Sequence, residues 1–266
     1  MPTWTAPGGL RLHFRDVGRG PPVVLLHAFP LTGEMFEPQW TALEGGARFI
    51  IPDLRGFGRS DTGSSPNEMG AMADDVLGLL DHLGIESAVV GGVSMGGYAS
   101  LALLRNDPSR VRALVLADTQ TSADDAPARE RREATALDVL ARGPEALLPS
   151  VDKLLGPSAS PELRARVSTW ITGGSPEGFA AAQRGMALRP DARDILARFG
   201  GPVLVVVGAE DVLTPPAKAR AMADLVPGSE FVEIRGAGHL ANLEQPAAFN
   251  AALVRFLDRT SPRSGS

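Results

Sequence analysis

Gly92-Val93-Ser94-Met95-Gly96 places a serine between glycines, directly after the apolar run Ala88-Val89-Val90 and before a helix-like stretch. A serine hydroxyl is a weak nucleophile at neutral pH, so covalent chemistry at Ser94 requires a base to take its proton and an acid to orient that base. Of the four imidazoles, His13, His27, His82 and His239, the last lies in the small-residue loop Gly236-Ala237-Gly238-His239, after the last predicted strand. His82 falls in a predicted helix and His13 in an early strand, and both are read as ordinary, partly exposed residues. Asp211 follows the strand ending Val207-Gly208 and is the first candidate for the acid. Taken alone it reads as a turn or helix-cap aspartate, and Asp118, in Leu116-Ala117-Asp118-Thr119, is its rival because it too follows a strand. The chemistry such a set performs is acyl transfer.

The elements that must position these groups are legible as strands and helices in alternation. Leu10 to Asp16 reads as an edge strand, and Val23 to His27, Arg48 to Pro52, Ala88 to Gly92 and Val111 to Ala117 as strands apolar enough to be covered on both faces. Ser65-Pro66-Asn67-Glu68 has the form of a capping box, followed by Met69, Met72, Val76, Leu80 and Leu83 at helical spacing. From Thr121 to about Gly200 only helical segments are expected, with starts at Gly143-Pro144-Glu145, Ser160-Pro161-Glu162 and Ser175-Pro176-Glu177. Pro202 to Gly208 and Glu230 to Arg235 resume the strand pattern before a terminal helix from about Glu244 to Asp258. The fold class is therefore α/β: a mostly parallel sheet of about eight strands, helices on both faces, and a helical insertion. Residues 1–120 and 201–259 form the core, 121–200 the insertion, and 260–266 a disordered tail. Ser94, Asp211 and His239 each follow a different strand, at the carboxyl end where parallel sheets collect functional groups.

This elbow, the order Ser, Asp, His and the strand pattern resemble the α/β-hydrolase fold family, in its serine carboxylesterase and 3-oxoadipate enol-lactonase-like branch. The resemblance covers essentially the whole chain. It includes His27-Ala28-Phe29-Pro30, similar to the family's oxyanion loop, and Asp53-Leu54-Arg55-Gly56-Phe57-Gly58-Arg59-Ser60, similar to the loop after the next strand. It implies that Ser94, Asp211 and His239 are catalytic, and that the N–H groups of Phe29 and Met95 bind the oxyanion. It makes His27 a brace for the oxyanion loop, and Asp53 and Arg55 parts of a loop-stabilising network. Ala28 departs from the family's usual glycine and would be strained at positive φ. The insertion is implied to be a cap, in which Trp170, Phe179 and Met186 are pocket candidates, although helical spacing alone makes each a core residue.

Composition narrows the remaining classes. The net charge of −5 and the scattered arginines argue against a nucleic-acid partner. The absence of cysteine excludes thiolate catalysis and cysteine-ligated metals, and no His-Glu-x-x-His pattern points to zinc. No signal peptide or membrane span is expected, so a cytoplasmic location follows. The sequence is compatible with a homo-oligomer. The expected activity is cofactor-independent hydrolysis of a small, fairly apolar ester or lactone through an acyl-serine. A polyanionic substrate would need a cationic pocket, which the sequence does not reveal. Alternatives are a cofactor-free perhydrolase using the same residues, a ligand-binding sensor on a hydrolase scaffold, and an inactive interaction protein.

Overall fold

The computed structural model describes residues 2–260. Eight strands form one sheet in the order β1-β2-β4-β3-β5-β6-β7-β8. They are β1 (Thr3–Thr5), β2 (Arg11–Gly18), β3 (Pro22–Leu26), β4 (Arg48–Pro52), β5 (Ala88–Val93), β6 (Val111–Ala117), β7 (Val203–Gly208) and β8 (Glu230–Ile234). β2 is antiparallel to both β1 and β4, and every pairing from β4 across to β8 is parallel. β2 is not an edge strand as its sequence suggests, because β1 pairs along its outer side. Three residues, Thr3, Trp4 and Thr5, are too few to show an alternation in the sequence.

The helices are α1 (Glu37–Leu43), α2 (Met69–His82), α3 (Met95–Asn106), α4 (Ala126–Arg142), α5 (Val151–Leu154), α6 (Pro161–Thr172), α7 (Pro176–Ala187), α8 (Arg193–Ala197), α9 (Pro216–Ala223), α10 (Ala241–Glu244) and α11 (Pro246–Thr260). Every residue of β5 and β7 is buried, so both faces of the sheet are covered. α2 packs on α3, and α1 on α11. Met69, Met72, Val76 and Leu80 of α2 are buried, as their spacing requires. The capping box does not form: α2 starts at Met69 with Glu68 as an N-cap that makes no side-chain bond. Asn67 is instead engaged elsewhere, its N–H donating to the Ala181 carbonyl and its side chain to that of Arg55. The terminal helix is two helices, because Glu244 is used in tertiary bonds and Pro246 opens α11. α11 runs through Thr260, so that residue is helical and not part of a tail; 261–266 lie outside the described residues.

Between β6 and β7 the chain is helical, α4 to α8, with a 3-10 segment at Pro144–Ser150 where an α-helix was expected to begin. Ser160 and Ser175 cap α6 and α7, each hydroxyl accepting an N–H from the third residue on. α4 and α7 form the main contact inside this segment. It sits directly on the loops that follow β4: a Cβ on Gly178 would come within 1.9 Å of the Gly56 carbonyl oxygen.

Candidate active site

β3 has β4 on one side and β5 on the other, so the chain reverses direction across the sheet beside β5. Such a switch point opens a crevice beyond the carboxyl ends of the strands. Ser94 sits there, at φ 54° and ψ −113°, a conformation that an L-residue adopts only when its surroundings enforce it. Two glycines enforce it. A Cβ on Gly92 would lie 2.1 Å from the Gly96 carbonyl carbon, and one on Gly96 would lie 1.9 Å from the Leu26 carbonyl oxygen. Strand and helix thus meet at backbone distance, and the hydroxyl is turned outward.

Ser94 Oγ lies 2.7 Å from His239 Nε2, and His239 Nδ1 lies 2.8 Å from Asp211 Oδ2. With Nδ1–H donating to the carboxylate, Nε2 is left as an acceptor for the serine proton. His239 and Asp211 are 2% and 3% exposed, so this chain of bonds is shielded from water except at the serine. Asp211 is saturated: Oδ1 accepts the N–H groups of Leu213 and Thr214, and Oδ2 also accepts the Thr214 hydroxyl at 2.6 Å. Burial pushes its carboxyl up, but the bonds and charge of His239, with those of Thr214, outweigh this and hold it below the usual carboxylate range.

Asp118 occupies a different place. It is fully buried, and its oxygens accept the N–H of Gly208 at 2.8 Å and of Ala241 at 3.2 Å, tying the end of β7 to the segment after His239. Burial, and secondarily the charge of Asp211, push its carboxyl well above the ordinary value. Glu244 provides a second tie. Oε1 accepts the N–H groups of Gly238 and Leu240, on either side of His239, while Oε2 accepts that of Gly156 from the helical segment at 2.7 Å. The residue that carries the imidazole is therefore held from both sides, and nothing in the sequence marked Glu244 for this.

The N–H groups of Phe29 and Met95 donate no hydrogen bond among the described residues. Met95 is fully buried and opens α3, so its amide is an unsatisfied donor at a helix N-terminus. His27 braces the Phe29 loop: Nε2 accepts the Leu54 N–H at 3.0 Å, which leaves Nδ1–H to donate to the Ala28 carbonyl. Burial pushes the His27 pKa down, consistent with a neutral ring. Positive φ among non-glycine described residues is confined to Ser94 and Asp118, so Ala28 carries no such strain. Asp53 accepts the N–H groups of Gly33 and Arg59, and Arg55 pairs with Asp75 at 2.6 Å. His13 is not the partly exposed residue its sequence position suggested; it is 6% exposed, with Nδ1 3.3 Å from Asp53. His82 is exposed, near Trp4.

Ser94, His239 and Phe29 line one cavity of about 400 Å³. Of the three pocket candidates in the helical segment, Met186 lines it. Phe179 lies in an aromatic cluster with Phe29 and Phe57, 5.5 and 5.7 Å away between ring centroids, and Trp170 lies under the Arg166 guanidinium. Tyr98, Leu147 and Leu154 add to the apolar part of the wall, and only the fold brings them there.

The alpha/beta hydrolase fold model matches residues 21–246, most of the chain. This chain belongs to the α/β hydrolase family. Among its relatives, 3-oxoadipate enol-lactonase 2 of Acinetobacter baylyi is 29% identical over 246 residues, covering 90% of this chain and 89% of that one. BpoC of Mycobacterium tuberculosis, provisionally named a non-heme bromoperoxidase, is 30% identical over 261 residues, covering 93% and 97%. A solved thermophilic esterase from Thermogutta terrifontis, with malate bound, superposes with a TM-score of 0.94 at 40% identity, covering 98% and 97%. This α/β hydrolase contains no described helix long and apolar enough to cross a membrane.

Proposed function

We propose that the chain is a cofactor-independent serine hydrolase that cleaves small carboxylic esters or lactones through an acyl-Ser94 intermediate. The observation that carries this reading is the continuous chain Ser94 Oγ, His239, Asp211, at 2.7 and 2.8 Å, beside two amides without partners among the described residues. Ser94 Oγ attacks the carbonyl carbon as its proton passes to His239 Nε2. Asp211 orients the ring and stabilises its charged form. The carbonyl oxygen becomes an oxyanion held by the Phe29 and Met95 N–H groups, a contribution of about 3 kcal/mol to the barrier per donor. His239 then returns the proton to the leaving alcohol, or to the ring-opened oxygen of a lactone. Water, deprotonated at the same nitrogen, releases the acid.

The helical segment 121–200 serves as a cap that shapes the pocket and excludes water. Phe29, Leu147, Leu154 and Met186 in the cavity wall suit a fairly apolar acyl body. Similarity to an enol-lactonase and an esterase supports ester or lactone bonds as the target.

The test is a chain-length panel of activated esters and lactones, with wild type and Ser94→Ala. Loss of turnover in the variant is expected; a panel on which the two proteins are indistinguishable removes the reading. The similarity to BpoC makes perhydrolysis the second reading. Peroxide-dependent bromination in acetate buffer identifies that activity, and its absence beside brisk ester cleavage eliminates it.

A further inference from the structure

Across Tyr98 from the Ser94 cavity lies a second cavity of about 210 Å³, bounded by the start of α2, α3, the loop after β6 and the end of α7. Among the described residues the two share only Tyr98 and Gln120, which form the partition between them. Arg189 stiffens that partition: its guanidinium lies 4.1 Å from the centre of the Tyr98 ring. The junction of α7 with the core is fixed as well. Gly185 meets the Asn67 carbonyl so closely that a Cβ would not fit, and the Asn67 N–H donates to the Ala181 carbonyl at 3.0 Å. The space is therefore preformed, as small-molecule sites usually are.

Its lining is apolar with a few polar points. Met69, Leu101, Ala102 and the Tyr98 ring supply carbon surface, and Leu188 stands 58% exposed at the rim. Three neutral groups lack partners. The hydroxyls of Tyr98 and Thr121 and the NH₂ of Gln120 make no hydrogen bond to any described residue, and none of the three is sealed off. Tyr98 and Thr121 are 7% and 8% exposed, so their hydroxyls meet cavity space and not bulk water. Charge does not select an ion here. Arg189 commits Nη1 to the Met186 carbonyl and Nη2 to the Ser122 carbonyl and Asp124, and its Nε is sealed from the cavity. It offers no free fork to an anion. Glu68 and Arg105, both exposed, oppose each other in sign at the rim.

We infer that this cavity is a second small-molecule site, which takes a neutral, ring-sized molecule carrying a hydroxyl, of the class of phenols. The ring rests on Met69, Leu101 and Ala102, and its hydroxyl pairs with those of Thr121 and Tyr98. An apolar cavity of about 150 Å³ holds benzene, so this one accommodates a single substituted ring. Ser94 and His239 are not in its wall, so the molecule bound here is not the one cleaved. The inference therefore stands apart from the serine hydrolase reading.

The experiment titrates 4-fluorophenol into the full chain at about pH 7, where a phenol is neutral, and follows fluorine NMR. 4-Fluorotoluene serves as the twin that lacks a hydroxyl. One saturable site with a Kd of about 1 mM or tighter is expected for 4-fluorophenol. Ala102→Phe fills the cavity and should abolish binding. Ala128→Phe crowds the Ser94 cavity instead and should leave the Kd within about twofold. Thr121→Val keeps the shape and removes one hydroxyl; it should weaken 4-fluorophenol about tenfold and leave 4-fluorotoluene unchanged. Circular dichroism verifies the fold of each variant, and the Thr121→Val comparison decides alone if Ala102→Phe does not fold. Absence of saturable binding to wild type would mean that the cavity holds water only, and overturns the proposal. Binding lost in Ala128→Phe but kept in Ala102→Phe, which places the ring beside Ser94, overturns it too. So does a Thr121→Val chain whose affinities for the two ligands change equally.

Discussion

Replacing Asp211 with asparagine keeps the shape of the site and reverses one dipole. Oδ1 of Asp211 faces two N–H donors, from Leu213 and Thr214, so the amide NH₂ cannot occupy that position without setting donor against donor. It must take the place of Oδ2, 2.8 Å from His239 Nδ1. There the NH₂ donates, Nδ1 becomes the acceptor, and the imidazole proton moves to Nε2, where it points at Ser94 Oγ. The base is then occupied at the one nitrogen that must receive the serine proton. A wrong tautomer of this kind lowers kcat by about 10⁴-fold in serine hydrolases, which is about 5.4 kcal/mol at 1.36 kcal/mol per decade. The parallel substitution Asp118→Asn places its NH₂ at the longer contact, toward Ala241, and leaves His239 in its tautomer. It is expected to lower kcat by about tenfold or less, through slackening of the histidine loop. The assay is initial-rate hydrolysis of a short-chain 4-nitrophenyl ester by both variants, with circular dichroism to verify folding. An Asp211→Asn enzyme within tenfold of wild type, or an Asp118→Asn enzyme equally impaired, would refute the assignment of the acid.

Other expectations follow from the same contacts. Glu244→Ala removes the carboxylate that holds Gly238, Leu240 and Gly156; kcat should fall about 10- to 100-fold with little change in KM. An unchanged kcat would show that the loop holds itself. Gly96→Ala drives a Cβ to 1.9 Å from the Leu26 carbonyl oxygen and should cost about 3 kcal/mol, lowering the melting temperature by about 6–12 °C in a scanning calorimeter. A melting point within two degrees or so of wild type would mean that strand and helix can part there. Asp118, raised well above 3.8 by burial and then by Asp211, keeps its proton in the folded chain over a range where the unfolded chain has released it. It therefore makes stability fall as pH rises through that range. Denaturant titrations from just above pH 3.8 upward should show that fall in wild type and a smaller one in Asp118→Asn, and equal slopes would contradict the burial argument.

What the sequence revealed and what it hid have physical reasons. The serine elbow was legible because a strand, a glycine-framed turn and a helix are consecutive, and their steric demand is local. The sheet was legible because β3, β5 and β7 are continuous apolar runs. The preference for Asp211 over Asp118 rested on the resemblance, since each follows a strand and it is tertiary structure that turns Asp211 toward His239 and Asp118 toward the amides of Gly208 and Ala241. The capping pattern at Ser65 misled because packing of Asn67 against α7 overrides a local preference. His13 misled because its partner, Asp53, comes from another strand end. The cavity behind Tyr98 was hidden for the same reason: Ala102 belongs to α3, Thr121 to the loop after β6 and Leu188 to the end of α7.

The central claim is that Ser94 forms a covalent acyl intermediate. Rapid acid quench during turnover of a slowly deacylating 4-nitrophenyl ester, followed by mass spectrometry of the digested protein, measures this directly. The account predicts the mass of the acyl group on the peptide containing Ser94, with no such adduct in Ser94→Ala. Turnover without an adduct on that peptide, retained in Ser94→Ala, would contradict it.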